Sequence, residues 1–334
     1  MNIGVVGFGY WGPNLVRNFL STPSVDGVVC YDCSEKRMQV AKQRFPSIET
    51  VGRYEDLLDR DDVQAIAIAT PVSQHFPLGM KALQAGKHLL LEKPMAESSA
   101  QCKQLVDLAA RRKLVLMVDH TFIYTGAVRK IKELISEGRL GEILYFDSVR
   151  VNLGLFQHDT NVVWDLAPHD LSIMDYLIGL DPISVSAIGA KHFNDTEDLA
   201  FITVRYQHEL LAHFHVNWMS PVKVRKILIG GSKLMVVYDD MEPSEKVKIY
   251  DKGVDIKERE SIYKVLVQYR TGDMWAPKIE LGEALTLLCS EFVDAILSGK
   301  RPTTDGWSGM KIVRILEAAQ QSLRAGGTMV NFGQ

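Results

Sequence analysis

Three groups of residues in this chain have the types and spacing to do chemistry. The first is Gly7-Phe8-Gly9-Tyr10-Trp11-Gly12, directly after the apolar run 3–6. Glycines at this spacing permit a tight turn (Gly7), close backbone approach to a pyrophosphate (Gly9) and close helix-to-strand packing (Gly12). A helix opening here turns its N–H groups and positive dipole end toward an anion. Pro13 suits the first helical turn, where its missing N–H has no partner anyway. Asp32 ends the second apolar run. A carboxylate there accepts hydrogen bonds from a ribose diol and repels a 2′-phosphate, which predicts NAD rather than NADP. Lys36 and Arg37 follow closely and could soften that repulsion, but they sit on a helical stretch where solvated charges are the usual reading.

The second group is Glu92-Lys93-Pro94, after the buried run Leu89-Leu90-Leu91. An amine fixed there, with Pro94 restricting the backbone beyond it, can stabilise negative charge developing on a reacting oxygen. The third is Trp164-Asp165-Leu166-Ala167-Pro168-His169-Asp170, which leads into the apolar pattern Leu171, Met174, Leu177, Ile178. Here Asp165 is expected to be a helix N-cap, with Pro168 in the first turn and His169 close by. A helix N-terminus disfavours imidazolium and a nearby carboxylate favours it, so a poised base can result. Asp165 as a mere cap and His169 as a satisfied buried polar group is the alternative.

These groups need elements to position them. Up to about residue 120, β-rich runs at 3–6, 28–31, 48–51, 65–69, 88–91 and 115–118 alternate with helical patterns at 13–20, 35–45, 76–85 and 98–111. That is the pattern of a parallel sheet covered on both faces. In such a sheet ligands collect at the carboxyl ends of the strands, which here carry Asp32, Thr70-Pro71, Glu92-Lys93-Pro94 and Asp119-His120. After a helix at 127–137 the texture changes to longer alternating segments at 143–151, 183–190, 199–206, 210–218 and 224–229, an antiparallel grammar. Helices at 283–297 and 309–325 close the chain. The expected fold class is α/β: an N-terminal Rossmann dinucleotide-binding domain (1–120), then an α+β domain (121–334) with a large, mostly antiparallel open sheet.

Composition narrows the partners. A formal net charge of −3 over 334 residues provides no global field for nucleic acid or an anionic membrane. No apolar run approaches the ~20 residues of a membrane helix, and residues 1–6 do not read as a signal peptide, so a cytoplasmic protein is expected. Four scattered cysteines fit a reducing compartment. Cys30 and Cys33 form a C-x-x-C, but Asp32 between them marks a ribose-binding strand end rather than a redox or metal pair. His213 and His215 share a strand face with no third ligand in sight, so no metal is expected.

Beyond these readings the sequence resembles the glucose–fructose oxidoreductase, inositol dehydrogenase and rhizopine-catabolism (Gfo/Idh/MocA) family over almost its whole length. The resemblance rests on the glycine motif, Ala69-Thr70-Pro71 followed by His75, Gly86-Lys87-His88 leading to Glu92-Lys93-Pro94, and the spacing of Asp165 and His169. It implies an NAD(P)-dependent oxidoreductase acting on CH–OH groups, with Lys93, Asp165 and His169 catalytic. The cofactor would meet Gly7 to Gly12, Asp32, Thr70, Pro71, His75, Glu92, Lys93 and His120. Ala167 and Ser172 stand where many members have a glycine and a second acid, which argues against a polyol dehydrogenase more than against the chemistry. The segment 164–170 together with 218–225 looks most like members acting on nucleotide-linked sugars, such as 3-dehydrogenases of UDP-N-acetylglucosamine or its uronic acid. In that case Trp164, Lys223 and Arg225 would join Lys93 and His169 in holding a sugar or nucleotide-sugar substrate, although Lys223 and Arg225 also read as solvated charges of an edge strand. The alternatives are a deoxysugar ketoreductase, an inositol or free-sugar dehydrogenase, or a non-catalytic NAD or sugar sensor. The family's second domain is often used for oligomer contacts, which implies a dimer or tetramer through the C-terminal sheet.

Overall fold

The computed structural model describes residues 1–154, 160–193, 195–256 and 267–333. The chain forms two compact units, Met1–Thr125 with Gly282–Glu317, and Gly126–Leu281 with Ala318–Gln334.

The first unit is built on a six-stranded parallel sheet in the order β3-β2-β1-β4-β5-β6, formed by β1 (Asn2–Val6), β2 (Gly27–Tyr31), β3 (Glu49–Thr50), β4 (Val63–Ile68), β5 (His88–Glu92) and β6 (Leu116–Asp119). The central strands are buried on both faces, as the unbroken apolar runs require. Strand order reverses between β1 and β4, so the crevice that receives a dinucleotide opens at the carboxyl ends of these two strands. Helices α1 (Gly12–Leu20), α2 (Glu35–Arg44), α4 (Val72–Gln84) and α5 (Ser99–Arg112) make the crossovers, and a short α3 (Tyr54–Leu58) links β3 to β4. Capping explains several starts. Ser34 accepts from the Arg37 N–H at the head of α2, and Ser98 from the Gln101 N–H at the head of α5.

The units divide differently from the expected 1–120 and 121–334. Residues 282–317, read from sequence as part of the second domain, belong to the first unit. The reason lies in the packing of α8 (Ala284–Ser298): Phe292 meets Phe19 of α1 edge-on at 6.3 Å, and the Thr286 hydroxyl donates to Asn18 Oδ1 at 2.6 Å. Arg17 forks onto Glu283, just before that helix, at 2.8 and 2.5 Å. The apolar period of 283–297 shows that a helix forms; it does not show which layer that helix covers. Helix α9 (Gly306–Arg324) then carries the chain across the boundary at Glu317.

The second unit has a nine-stranded sheet in the order β14-β13-β12-β11-β7-β10-β9-β8-β15. Its strands are β7 (Ile143–Leu153), β8 (Ser184–Ala190), β9 (Leu199–Arg205), β10 (Leu211–Asn217), β11 (Met219–Gly231), β12 (Met235–Asp239), β13 (Val247–Ile256), β14 (Val267–Trp275) and β15 (Val330–Asn331). Strands β7 and β10 run parallel and the other pairs antiparallel. Helices α6 (Gly126–Ser136) and α7 (Val162–Ile178) belong to this unit. Alternation along β10 buries Ala212, Phe214 and Val216 and leaves His213 and His215 on the opposite face, where both stack on Phe201 of β9. Among the described residues no helix is long and apolar enough to cross a membrane.

Candidate active site

At the carboxyl edge of the first sheet, the glycine loop follows β1 as expected. Gly7 has φ +95°, and a Cβ there would lie 2.5 Å from the Ala69 carbonyl oxygen at the end of β4. A Cβ on Gly12 would lie 2.1 Å from the Gly7 oxygen, so this turn excludes side chains at both positions. Gly9 is different. Nothing comes within 4 Å of its would-be Cβ, which leaves open space above bare backbone, a cradle suited to a pyrophosphate. No side chain caps α1 at Trp11. Phe8 is buried against Phe45, while Tyr10 is exposed and stacks on the Trp11 indole.

Asp32 stands one residue beyond β2 and is buried. Its Oδ2 accepts from the Phe8 N–H at 2.7 Å and its Oδ1 from the Ser34 N–H at 2.9 Å, so the acid also fixes the glycine loop. The mostly exposed Arg37 guanidinium reaches Oδ2 at 3.4 Å. That contact brings a cation beside Asp32, the softening of its charge that the sequence allowed for alongside the usual reading of Arg37 as a solvated charge. Cys30 is buried within β2, where burial pushes its thiol up to about 12, and Cys33 is exposed, its thiol donating to Asp32 Oδ1 at 3.8 Å; neither forms a disulfide.

The ends of β4, β5 and β6 carry the other expected residues. His75 on α4 is buried with Nδ1 2.9 Å from the Pro94 carbonyl and Nε2 2.9 Å from that of Thr70, so it ties the β4 and β5 ends together. Burial pushes its pKa down. Pro71 occupies the N-cap position of α4. Thr70 Oγ1 and both ring nitrogens of the buried His120 find no protein partner. Burial drives His120 down to about 4, and Lys93 adds to that while Asp119 opposes it. Buried polar atoms without partners gathered on one edge mark a surface shaped for a polar ligand. With the open glycine cradle and Asp32, they fit the pyrophosphate, ribose and amide groups of a nicotinamide dinucleotide.

Lys93 lies directly after β5, and its N–H donates to Glu92 Oε2 at 3.1 Å. Glu92 pairs in register with Asp119 of β6. Asp119 Oδ2 accepts from the Trp11 indole N–H at 2.8 Å, and its other oxygen from the Thr121 hydroxyl. Sequence reasoning placed Asp119 at the edge without giving it this link to the glycine loop. The indole at Trp11, a lone N–H donor inside a glycine motif, was the available signal.

The second unit places Asp165 and His169 on α7, but not as expected. Asn161 is the N-cap, accepting from the Trp164 N–H at 3.1 Å, and its Nδ2 donates to Glu197 and Gln320 at 2.8 and 2.7 Å. Asp165 therefore lies within the first turns, and Pro168 inside the helix. A Pro three residues after an acid imitates a cap, but Asn161 already satisfies the terminal N–H. The Asp165 carboxylate accepts from the buried Trp218 indole N–H at 3.0 Å. Next to His169, the buried Asp170 receives Arg150 in a two-pronged bond, Nε to Oδ2 at 2.9 Å and Nη2 to Oδ1 at 2.7 Å, with the Ser148 hydroxyl at 2.8 Å. Helix α7 is thereby clamped to β7. Neither Arg150 nor Asp170 stands out in the sequence for this role, since the pairing spans twenty positions and only the fold joins them.

Lys223 is exposed on β11, and Arg225 there bonds Asp240 Oδ2 at 3.2 Å. Strand β11 lies between β12 and β7, but its ladder with β12 starts at Lys226 and its register with β7 breaks between Met219 and Val224, so Lys223 stands in an unpaired stretch and Arg225 is paired on the β7 side.

The fold and the carboxyl-edge site define a nucleotide-binding Rossmann enzyme with an added sheet domain. The chain belongs to the GFO/IDH/MocA oxidoreductase family: the model for its NAD-binding Rossmann fold matches residues 1–120, and that for its C-terminal domain matches 128–237. The cofactor is accordingly NAD. A UDP-N-acetylglucosamine 3-dehydrogenase from Acidithiobacillus ferrooxidans is 25% identical over 329 residues, 96% of each chain. The solved structure of that enzyme superposes with a TM-score of 0.82 at 23% identity, over 98% of each chain. A dTDP-3,4-didehydro-2,6-dideoxy-alpha-D-glucose 3-reductase from Streptomyces violaceoruber is 34% identical over 125 residues, 37% of this chain and 36% of that one. Levoglucosan dehydrogenase, solved with NADH and L-sorbose, has a TM-score of 0.84 at 19% identity, over 100% of this chain and 99% of that one. At such identities the structural likeness speaks for the fold alone.

Proposed function

We propose that the chain catalyses reversible oxidation of a secondary alcohol on a sugar, with C3 of a nucleotide-linked sugar as the first candidate. The observation that carries the reading is the place of Lys93 on the same strand edge as the glycine cradle, Asp32 and the unpartnered Thr70 and His120 atoms. Near-full-length similarity to a UDP-N-acetylglucosamine 3-dehydrogenase supports the substrate class.

When bound, the nicotinamide supplies the acceptor for the hydride leaving the carbinol carbon. His169 takes the hydroxyl proton, because an alcohol holds its proton far too tightly at neutral pH to lose it without a positioned base. Lys93 hydrogen-bonds the same oxygen and stabilises its developing negative charge. Asp165, four residues before His169 on α7 and held by Trp218, orients the imidazole. Asp32 selects NAD by receiving the ribose diol. Gly7 to Gly12, Thr70, Pro71, His75, Glu92 and His120 shape the rest of the cofactor surface, and Trp164, Lys223 and Arg225 contact the substrate. The protein works in the cytoplasm as a dimer or tetramer joined through its nine-stranded sheet.

The test is NADH formation from NAD with UDP-, dTDP- and GDP-linked sugars, followed by Lys93→Ala and His169→Ala. Each variant is expected to bind NAD while turnover falls by roughly 10²–10⁴-fold. Wild-type rates in both variants would remove the role assignment. NAD binding without turnover of any sugar would favour a sensor.

A further inference from the structure

Glu92 and Asp119 end adjacent parallel strands in matched register, so their side chains emerge together at the carboxyl edge. Their partners differ. Asp119 takes an N–H from Trp11 on one oxygen and the Thr121 hydroxyl on the other. Glu92 Oε2 takes the Lys93 N–H, while its Oε1 is buried and meets no donor from the protein. The two carboxyl groups lie within hydrogen-bonding reach of each other. Two ionised carboxylates in that position would repel; a single proton turns the contact into a hydrogen bond. The proton belongs on the member with fewer donors.

We propose that Glu92 is held as a neutral carboxylic acid that donates to Asp119, forming a proton-sharing pair that ties the Trp11 end of the glycine loop to the backbone of Lys93. Glu92 is thus a positioning residue. Through Asp119 it holds the indole beside the pyrophosphate cradle, and through Oε2 it holds the amide of the residue that bears the amine. The meaning of the pair for turnover rests on the catalytic reading of Lys93; the proton itself does not.

The surroundings agree. Facing the pair are His120, just beyond β6, and Lys93, just beyond β5. Tyr124, in the 3₁₀ turn Thr121–Tyr124, and Cys289 of α8 face Asp119, and His75 of α4 faces Lys93. Burial keeps His120, Tyr124 and Cys289 in their neutral forms, which leaves Lys93 as the cation that opposes protonation. Burial of Glu92, reinforced by Asp119, outweighs it and holds the carboxyl well above the usual glutamate range.

The sign of the linkage is fixed. The folded protein keeps a proton that the unfolded chain has released above the ordinary glutamate range. The stabilisation is complete below that range and is lost as pH rises toward the folded value, at about tenfold in the folding constant per pH unit. Glu92→Gln carries a neutral donor at every pH and should lack this component of the slope. Difference infrared spectra of the ligand-free protein at neutral pH should show a protonated-carboxyl band in wild type that Glu92→Gln loses. Calorimetric titration should show NAD affinity weakening with rising pH in wild type and holding level in Glu92→Gln.

A wild type without the band, or equal pH slopes of stability in the two proteins, overturns the proton. Equal pH dependence of NAD binding overturns the positioning role. If Glu92→Gln does not fold, Asp119→Asn gives the same reading, because removing the second carboxylate should also flatten the stability slope. Normal turnover in Lys93→Ala beside a confirmed band would fell the catalytic assignment and leave the pair standing.

Discussion

Two polar clusters in this chain are both drawn out of solvent and are satisfied to opposite degrees. At the carboxyl edge of the first unit, Thr70 Oγ1 and both nitrogens of His120 are buried without protein partners. On α7 of the second unit, Asp170 receives two bonds from Arg150 and one from Ser148, and Asp165 receives the Trp218 indole. A buried polar group left unpaired costs roughly 1–3 kcal/mol, so a fold that keeps several on one edge bears a standing penalty there. In the proposed cofactor surface a bound dinucleotide would relieve it. On α7 the polar groups are answered by the protein itself, so the helix carrying His169 is set in place before any ligand arrives. One region is arranged to receive and the other to hold still.

The largest effect expected from breaking this contrast is on α7. Arg150→Met leaves Asp170 buried with only the Ser148 hydroxyl, and should destabilise the protein by about 3–5 kcal/mol in chemical denaturation. Replacing Asp170 with Leu in the same variant should return much of that loss, since an apolar pair carries no stranded charge. A small effect of the single change would show that α7 is held by packing rather than by this pair. At the receiving edge, Asp32→Ala should act on binding more than on folding. NAD affinity should fall by roughly tenfold or more, as expected for the loss of a charged hydrogen bond. Discrimination against NADP should relax further, because Arg37, now without its partner, is placed to meet a 2′-phosphate. Unchanged NAD:NADP preference by titration would take Asp32 out of cofactor selection.

The two regions were also unequally legible in the sequence. The central Rossmann strands announce themselves because they are buried on both faces and read as apolar runs, and the glycine spacing follows from the tight turn between β1 and α1. Local chemistry of this kind survives in a linear string. The clamp on α7 does not, since Arg150 and Asp170 meet only after β7 and α7 have packed. Asp165 misled because an acid followed three positions later by proline imitates a helix start, while the working cap, Asn161, lies four residues earlier. Strands β12 to β14 went unread for another reason: β12 is only five residues long, and charged residues interrupt the apolar pattern of β13 and β14. Helix α8 was legible as a helix but its packing against α1 was not, because amphipathic period records that a face is buried and not what buries it.

The smallest change is the most discriminating for the receiving edge. Thr70→Val replaces the buried, unpartnered hydroxyl with a methyl group of nearly the same shape. If that hydroxyl serves the fold, the variant should melt lower. If it is kept for a ligand, removing it relieves an unpaired polar atom, and the ligand-free protein should melt at the same temperature or higher. NAD affinity should then fall by roughly threefold to tenfold, the worth of one neutral hydrogen bond. The opposite signs are the point: greater stability with weaker binding can arise only where the fold tolerates an unsatisfied atom on behalf of something it binds. A lower melting temperature with unchanged NAD affinity would make Thr70 an ordinary structural residue and leave His120 alone to carry the contrast with α7.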